Sequence, residues 1–238
     1  MAIQNLLYKH TFPVNDYIQV VVPSVGQVLE CEDSYYHLVT VFTAMPIDLM
    51  VPLSDAGIDF TKINEYELFL LLFPGIQKDD TSLILGDLDL SKFHTAINEQ
   101  NGKIILEDSS SGIKIDRSIH SLIASALRKM HHLEKNRKKP ANEETKKYMI
   151  ERAKAKAQRR NSRTTDSELE SLIVSMVNTE QYKYDFEGTR ELSIYQFNEC
   201  VRQVIKKVDY DNRMYGIYSG TISAKEMSQD DLNWLSHK

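Results

Sequence analysis

Residues 64–75 read Asn64-Glu-Tyr-Glu-Leu-Phe-Leu-Leu-Leu-Phe-Pro-Gly75. Asn64 is a good helix cap, and Glu65 and Glu67 fall in the first turn, where the helix dipole favours anions. Leu68 to Phe73 is apolar on every side, so this helix must be buried on most of its faces. Pro74-Gly75 predicts its end. Short extended runs lie on both sides of it. Leu6 to Phe12 and Tyr17 to Val22 flank the turn residues Pro13-Val14-Asn15-Asp16 and read as a hairpin ended by Pro23. Residues 82–85, 92–97, 103–106 and 113–115 read as further short strands, with Asn101-Gly102 as a turn signal. A buried helix among short antiparallel runs predicts an α+β chain: a small antiparallel sheet with inserted helices.

Two more helices precede Asn64. Asp33 or Ser34 can cap one that runs through Ala44, with Tyr35, Leu38, Val39 and Phe42 at helical spacing. Pro46 suits the first turn of the next, which Gly57 ends. Beyond residue 116, Ile119, Leu122, Ile123, Ala126, Leu127, Met130 and Leu133 recur at steps of three and four, an amphipathic helix to about Lys135. Residues 136–140 break it, since Pro140 cannot continue a helix. A second helix begins near Asn142 with Glu143 and Glu144 and finishes on Arg159 and Arg160. Its only large apolar residues are Tyr148, Met149 and Ile150, so it reads as a solvated spacer or a docking arm. Residues 161–165 look like a linker.

The tail is mainly helical. Thr165 and Glu168 form a capping box before Leu169, Leu172, Ile173, Met176 and Val177. Tyr182, Tyr184 and Phe186 alternate with charges and predict a strand, with a turn at Gly188. Ser193 and Gln196 form a second box before Ile194, Phe197, Val201, Val204, Ile205 and Val208, an apolar set expected in the core. Residues 209–218 read as a separate short helix stopped by Gly220. A last turn carries Leu232, Trp234 and Leu235.

Charge divides the chain in the same places. The 238 residues carry a net charge of -5, but residues 1–100 hold -10 and residues 117–165 hold +11. We therefore divide the chain into an acidic mixed module (1–116), a basic helical arm and linker (117–165) and a mainly helical C-terminal module (166–238). The hydrophobic fraction of 42% excludes a wholly disordered chain. The longest apolar run, Leu68 to Phe73, is far short of the roughly 20 residues a membrane span needs, so no membrane role is expected. The N-terminus lacks the pattern of a secretory signal, and two distant cysteines suit a reducing compartment.

Chemistry is hard to find in these residues. No phosphate-cradling glycine loop, zinc-ligand spacing or nucleophile elbow is present, so no catalytic residue, metal site or cofactor is expected. Asp79, Asp80, Asp87 and Asp89 are the best metal set, but they read as turn residues on a solvated edge. His120, His131 and His132 read as surface histidines, Cys200 as a buried structural thiol, and Cys31 as a thiol raised by its acidic neighbours. The basic segment is the main functional candidate. Lys154, Lys156, Arg159 and Arg160 are its partner-binding residues, and Leu232, Trp234 and Leu235 form a terminal anchor. A nucleic-acid contact through residues 128–163 is the alternative, on charge alone.

The stretch Val22-Pro-Ser-Val-Gly-Gln-Val-Leu29, with Tyr35-Tyr36 and then residues 49–73, resembles small tail-morphogenesis proteins of bacteriophages that infect Gram-positive hosts. So do Leu192-Ser-Ile-Tyr-Gln-Phe197, Met214-Tyr-Gly-Ile-Tyr-Ser-Gly220 and Asp231-Leu-Asn-Trp-Leu235. The resemblance implies a non-enzymatic tail or baseplate component, or a tail-assembly chaperone. Its partners would be other tail or baseplate proteins or further copies of itself, in the host cytoplasm during assembly or in the virion tail.

Overall fold

A computed structural model describes residues 6–99, 102–160, 167–223, 225, 227–228 and 232–235. Strands β1 (Thr11–Pro13) and β2 (Gln19–Val21) pair antiparallel with Thr11 opposite Val21. Asn15 makes the turn, its side-chain oxygen accepting from the Tyr17 and Ile18 amides at 2.9 and 2.7 Å. Helices α1 (Val25–Leu29), α2 (Glu32–Thr43), α3 (Met50–Asp55), α4 (Glu65–Ile76) and α5 (Ser82–Leu85) follow. A second sheet is an antiparallel meander of β3 (Phe93–Ile97), β4 (Ile104–Asp108) and β5 (Ile113–Ile115). Helices α6 (Arg117–His131), α7 (Glu143–Arg160), α8 (Glu168–Val177), α9 (Phe186–Glu191) and α10 (Ile194–Tyr218) complete the described residues. The chain is thus mixed, with mostly helical residues and two small antiparallel sheets.

Caps place several of these elements where local chemistry requires. Asn64 accepts from the Tyr66 and Glu67 amides while Glu67 returns a carboxylate to the Asn64 amide, so both ends of the capping box are made. Ser193 and Gln196 do the same for α10. Gly57 and Gly220 lie at φ 73° and 77°, a left-handed backbone that glycine adopts without a Cβ penalty.

Other expectations need correction. Residues 82–85 form a helical turn and not a strand, because Ile84 and Leu85 are adjacent and both buried, which a period of two cannot achieve. Helix α4 runs past Pro74 and Gly75, and the turn it gains buries Ile76 completely. Helix α2 starts at Glu32, so Asp33 and Ser34 lie inside it. Residues 182–186 are no strand: Asp185 caps α9, which contains Gly188, and the buried Tyr182 hydroxyl meets Thr189 Oγ1 at 2.9 Å. Residues 194–218 form one helix about 37 Å long, since nothing between Val208 and Asp209 interrupts the backbone ladder. Thr165 of the expected capping box lies outside the described residues. The cap seen is Ser167, whose side chain accepts from the Glu170 amide at 2.8 Å.

Helix α6 lies at the centre. Its Ile123, Ala124, Ala126, Leu127 and Met130 are buried, and it packs on α2, α4, α10, β2 and β5. One apolar cluster draws on the front (Val20, Phe42, Phe69), on α6 and on the tail (Leu169, Ile173, Phe197). Front and tail are also stitched by backbone: the Val25 amide donates to the Leu192 carbonyl and the Ile194 amide to the Pro23 carbonyl, both at 2.8 Å. The seam is tight, because a Cβ on Gly26 would sit 2.6 Å from Arg190 Cγ. Val201 and Val204 are half-buried against the main cluster and not fully enclosed. Truncating Val204 to alanine is therefore expected to cost about 1 kcal/mol, the low end for lost apolar burial. A urea midpoint equal to that of the parent chain would show that the side chain contributes no packing.

Candidate interaction surfaces

A smaller apolar cluster, Ala44, Ile47, Leu53, Phe60 and Leu68, lies beside the main core, and Met149 and Ile150 of α7 pack against it. Charge fastens the helix on either side of these residues. Lys146 Nζ stands 2.8 Å from Asp59 Oδ2, and Lys154 Nζ 2.6 Å from Asp55 Oδ1 on α3. The hydrogen bond from Lys146 holds the Asp59 carboxyl well below the usual carboxylate range. The arm is thus docked on an acidic face of its own chain. Lys154 is engaged in that internal contact, whereas Lys156 is exposed. Arg159 and Arg160 end α7, and their side chains lie outside the described residues. Lys147, Arg152 and Lys156 point outward, as do Arg137, Lys138 and Lys139 in the preceding loop.

The basic segment also supplies the core with a charged network that sequence reading placed on the outer face. Arg128 is buried. It donates to the Thr43 carbonyl at the end of α2 and, at 2.6 Å, to Glu65 Oε1. Lys135 reaches Glu65 Oε2 at 2.8 Å. Burial by itself would raise the Glu65 carboxyl, but the hydrogen bonds from Lys135 and Arg128 outweigh it and leave the carboxyl below its ordinary value. The signal was available in the spacing. Arg128 stands four residues after the buried Ala124, so its side chain leaves α6 on the inward side.

His120 is buried and His131 is half-buried, in place of the surface positions expected. The His120 ring stacks on Phe69 with centroids 4.4 Å apart and is 1% exposed, because it sits on the inward face of α6 with Ile123 and Leu127. Burial pushes its pKa down to about 4; Glu65 opposes the shift, and Arg128 and Lys135 add to it. His131 Nε2 lies 2.9 Å from the Tyr35 hydroxyl, and burial, helped by His132, likewise brings it to about 4. His132 ends α6 at φ 52° and lies 3.6 Å from Glu199. Burial, then Asp80 and Glu30, raises the Cys31 thiol, and burial raises the half-buried Cys200 thiol, so neither is an activated nucleophile.

The four aspartates line a shallow cleft of about 240 Å³ at α5. Asp80 accepts from the Ser82 amide and Asp89 from the Ser91 amide, which is turn chemistry. Among the described residues no group of three or more metal-ligating side chains converges, and no helix is long and apolar enough to cross a membrane. At the other end of the chain, Trp234 is half-buried, with Lys207 Nζ 5.9 Å from its ring centroid, while Leu232 and Leu235 are exposed. Trp234 therefore rests on its own α10. Trp234→Ala is expected to cost about 0.5–1 kcal/mol, the size of an exposed cation–π contact. A loss several times larger in thermal unfolding would make the terminus part of the core.

Residues 157–238, about a third of the chain, match the family model of the YomV second domain. That family is phage-derived, named for a protein of a Bacillus phage region, and the match associates the C-terminal part of this chain with phage. It begins inside α7 and takes in α8, α9 and α10. No curated protein and no solved structure matches the chain.

Proposed function

We propose that the chain is a non-enzymatic bacteriophage assembly protein, a tail or baseplate component or tail-assembly chaperone that works through protein contacts. The match of residues 157–238 to a phage-derived domain carries this reading. The surfaces support it: exposed cations, Lys147, Arg152 and Lys156 on α7 and Arg137, Lys138 and Lys139 before it, suit contact with an acidic protein surface. Arg128, Lys135, Lys146 and Lys154 are engaged inside the molecule, which favours protein contact over nucleic acid for the segment 128–163. Its place would be the host cytoplasm during assembly or the finished tail.

Particles made without the protein, viewed by electron microscopy, test the reading. Tailless particles or particles with aberrant tails are expected. Normal tails would overturn it, and nuclease-sensitive recovery of the protein with DNA would favour the nucleic-acid alternative.

A further inference from the structure

Helix α7 is long but is held to the rest of the chain by one narrow stripe. Thr145, Lys146, Met149, Ile150, Ala153 and Lys154 are half-buried, at the three- and four-residue steps of a single helix face. None of its described side chains is fully buried, whereas the shorter α6 buries Ile123, Leu127 and Met130 among others. The element it packs on most is α3. A helix attached this way opens at little cost, since local stability follows buried apolar contact. The surface beneath the stripe is held by other parts of the chain. Its floor, Ile47, Leu53, Phe60 and Leu68, is buried, and Leu68 belongs to α4. The Ile58 amide donates to the Leu53 carbonyl at 2.8 Å and closes the turn after α3. Asp59 Oδ1 accepts from the Thr61 amide and hydroxyl at 3.0 and 2.7 Å, which leaves Oδ2 for Lys146. Lys62, 4.0 Å from the same Oδ2, is exposed. Met149 and Ile150 do not cover this groove completely: Met45, Leu49, Met50, Ile58 and Ile63 pack around the floor and stay partly exposed.

We propose that this groove is a docking site for an amphipathic helix of a partner protein, one with flanking lysines and a wider apolar stripe than α7, and that α7 is the strap that fills the groove until such a helix takes its place. The occupant is defined by what already binds there. Lys146 meets Asp59 and Lys154 meets Asp55 on either side of the Met149-Ile150 pair, so the acidic rim selects cations at that spacing. The partly exposed side chains around the floor select a wider stripe, and Met45 and Met50 can adapt to it, since methionine fills irregular gaps. Anchors three, four and seven residues apart are the way a helix reads a groove. This inference stands apart from the tail-assembly reading, since the groove and its strap belong to this chain alone.

Labelled peptides and the purified full chain test it, with fluorescence anisotropy reading binding and amide exchange reading the state of α7. One peptide copies residues 142–160. It competes with an arm whose tether gives an effective concentration in the millimolar range, so it should bind weakly. A second peptide carries Ala153→Leu and Ala157→Leu, which widen the stripe. It should bind at least about tenfold more tightly, and its binding should speed exchange in the α7 of the full chain. Met149→Ser with Ile150→Ser in the full chain loosens the strap. That variant should take up either peptide at least about tenfold more tightly than the parent, with unchanged circular dichroism elsewhere in the fold. Lys146→Glu with Lys154→Glu in the widened peptide should abolish binding, because the rim then repels it. A widened peptide that does not bind overturns the proposal, as does binding that leaves α7 exchange unchanged. A loosened-strap variant that binds no better than the parent, or a charge-reversed peptide that binds as well as the widened one, overturns it too and makes α7 a fixed part of the fold.

Discussion

Arg128→Ala is expected to destabilise the fold by about 3–5 kcal/mol, the cost of breaking a buried ion pair from one side. The Arg128 side chain is 7% exposed and that of Glu65 15%. Removing the guanidinium leaves Glu65 with Lys135 as its remaining cation and leaves the Thr43 carbonyl without its side-chain donor. The loss is larger than for an exposed pair, which contributes at most about 1 kcal/mol. Urea unfolding followed by circular dichroism measures it. The double variant Arg128→Leu with Glu65→Leu should recover much of the loss, because no uncompensated charge then remains in the interior. An Arg128→Ala chain as stable as the parent would mean that the network contributes nothing.

Acid is expected to weaken the protein well before its carboxylates titrate. An unfolded histidine binds its proton near pH 6.5, whereas His120 and His131 in the fold do so only at about 4. Between those values the unfolded chain holds protons that the native chain lacks, so stability falls as pH drops from about 6.5 toward 4. The full His120 shift corresponds to on the order of 3 kcal/mol. Glu65 acts in a lower window: its depressed value contributes stability above about 4.5 that is lost as pH falls further. Urea midpoints between pH 7 and pH 5 should decline in the parent and decline less in His120→Gln. A flat profile over that range would show that neither imidazole is desolvated as the packing implies.

Much of this fold was legible because it rests on local chemistry. Asn64 with Glu67 and Ser193 with Gln196 announced their helices, since the partners are three residues apart and need nothing else. The same Ser-x-x-Gln signal stands at Ser24 and Gln27, where α1 begins, a helix of only five residues. The hairpin at residues 11–21 and the meander of β3 to β5 followed from alternation and turn residues. The expected strands at 82–85 and 182–186 are the opposite case. Their residues are β-prone, but Ile84 with Leu85 is buried by a helical turn, and Tyr182 lies in an irregular segment that brings its hydroxyl to Thr189 on α9.

The candidate surfaces divide the same way. The sequence located the basic segment and its helices, because charge and periodicity are properties of a residue and its near neighbours. It could not say which cations face inward. Arg128 meets Glu65, Lys146 meets Asp59 and Lys154 meets Asp55 across separations of 63 to 99 residues, and each pairing exists only because α6 and α7 dock on α3 and α4. The histidines differ for the same reason. Neighbouring residues on a helix point about 100° apart, so a one-residue step from His131 to His132 takes a ring from a half-buried place against Tyr35 to an exposed one. Which direction is inward is set by the helices packed around α6, whose apolar faces must leave water together.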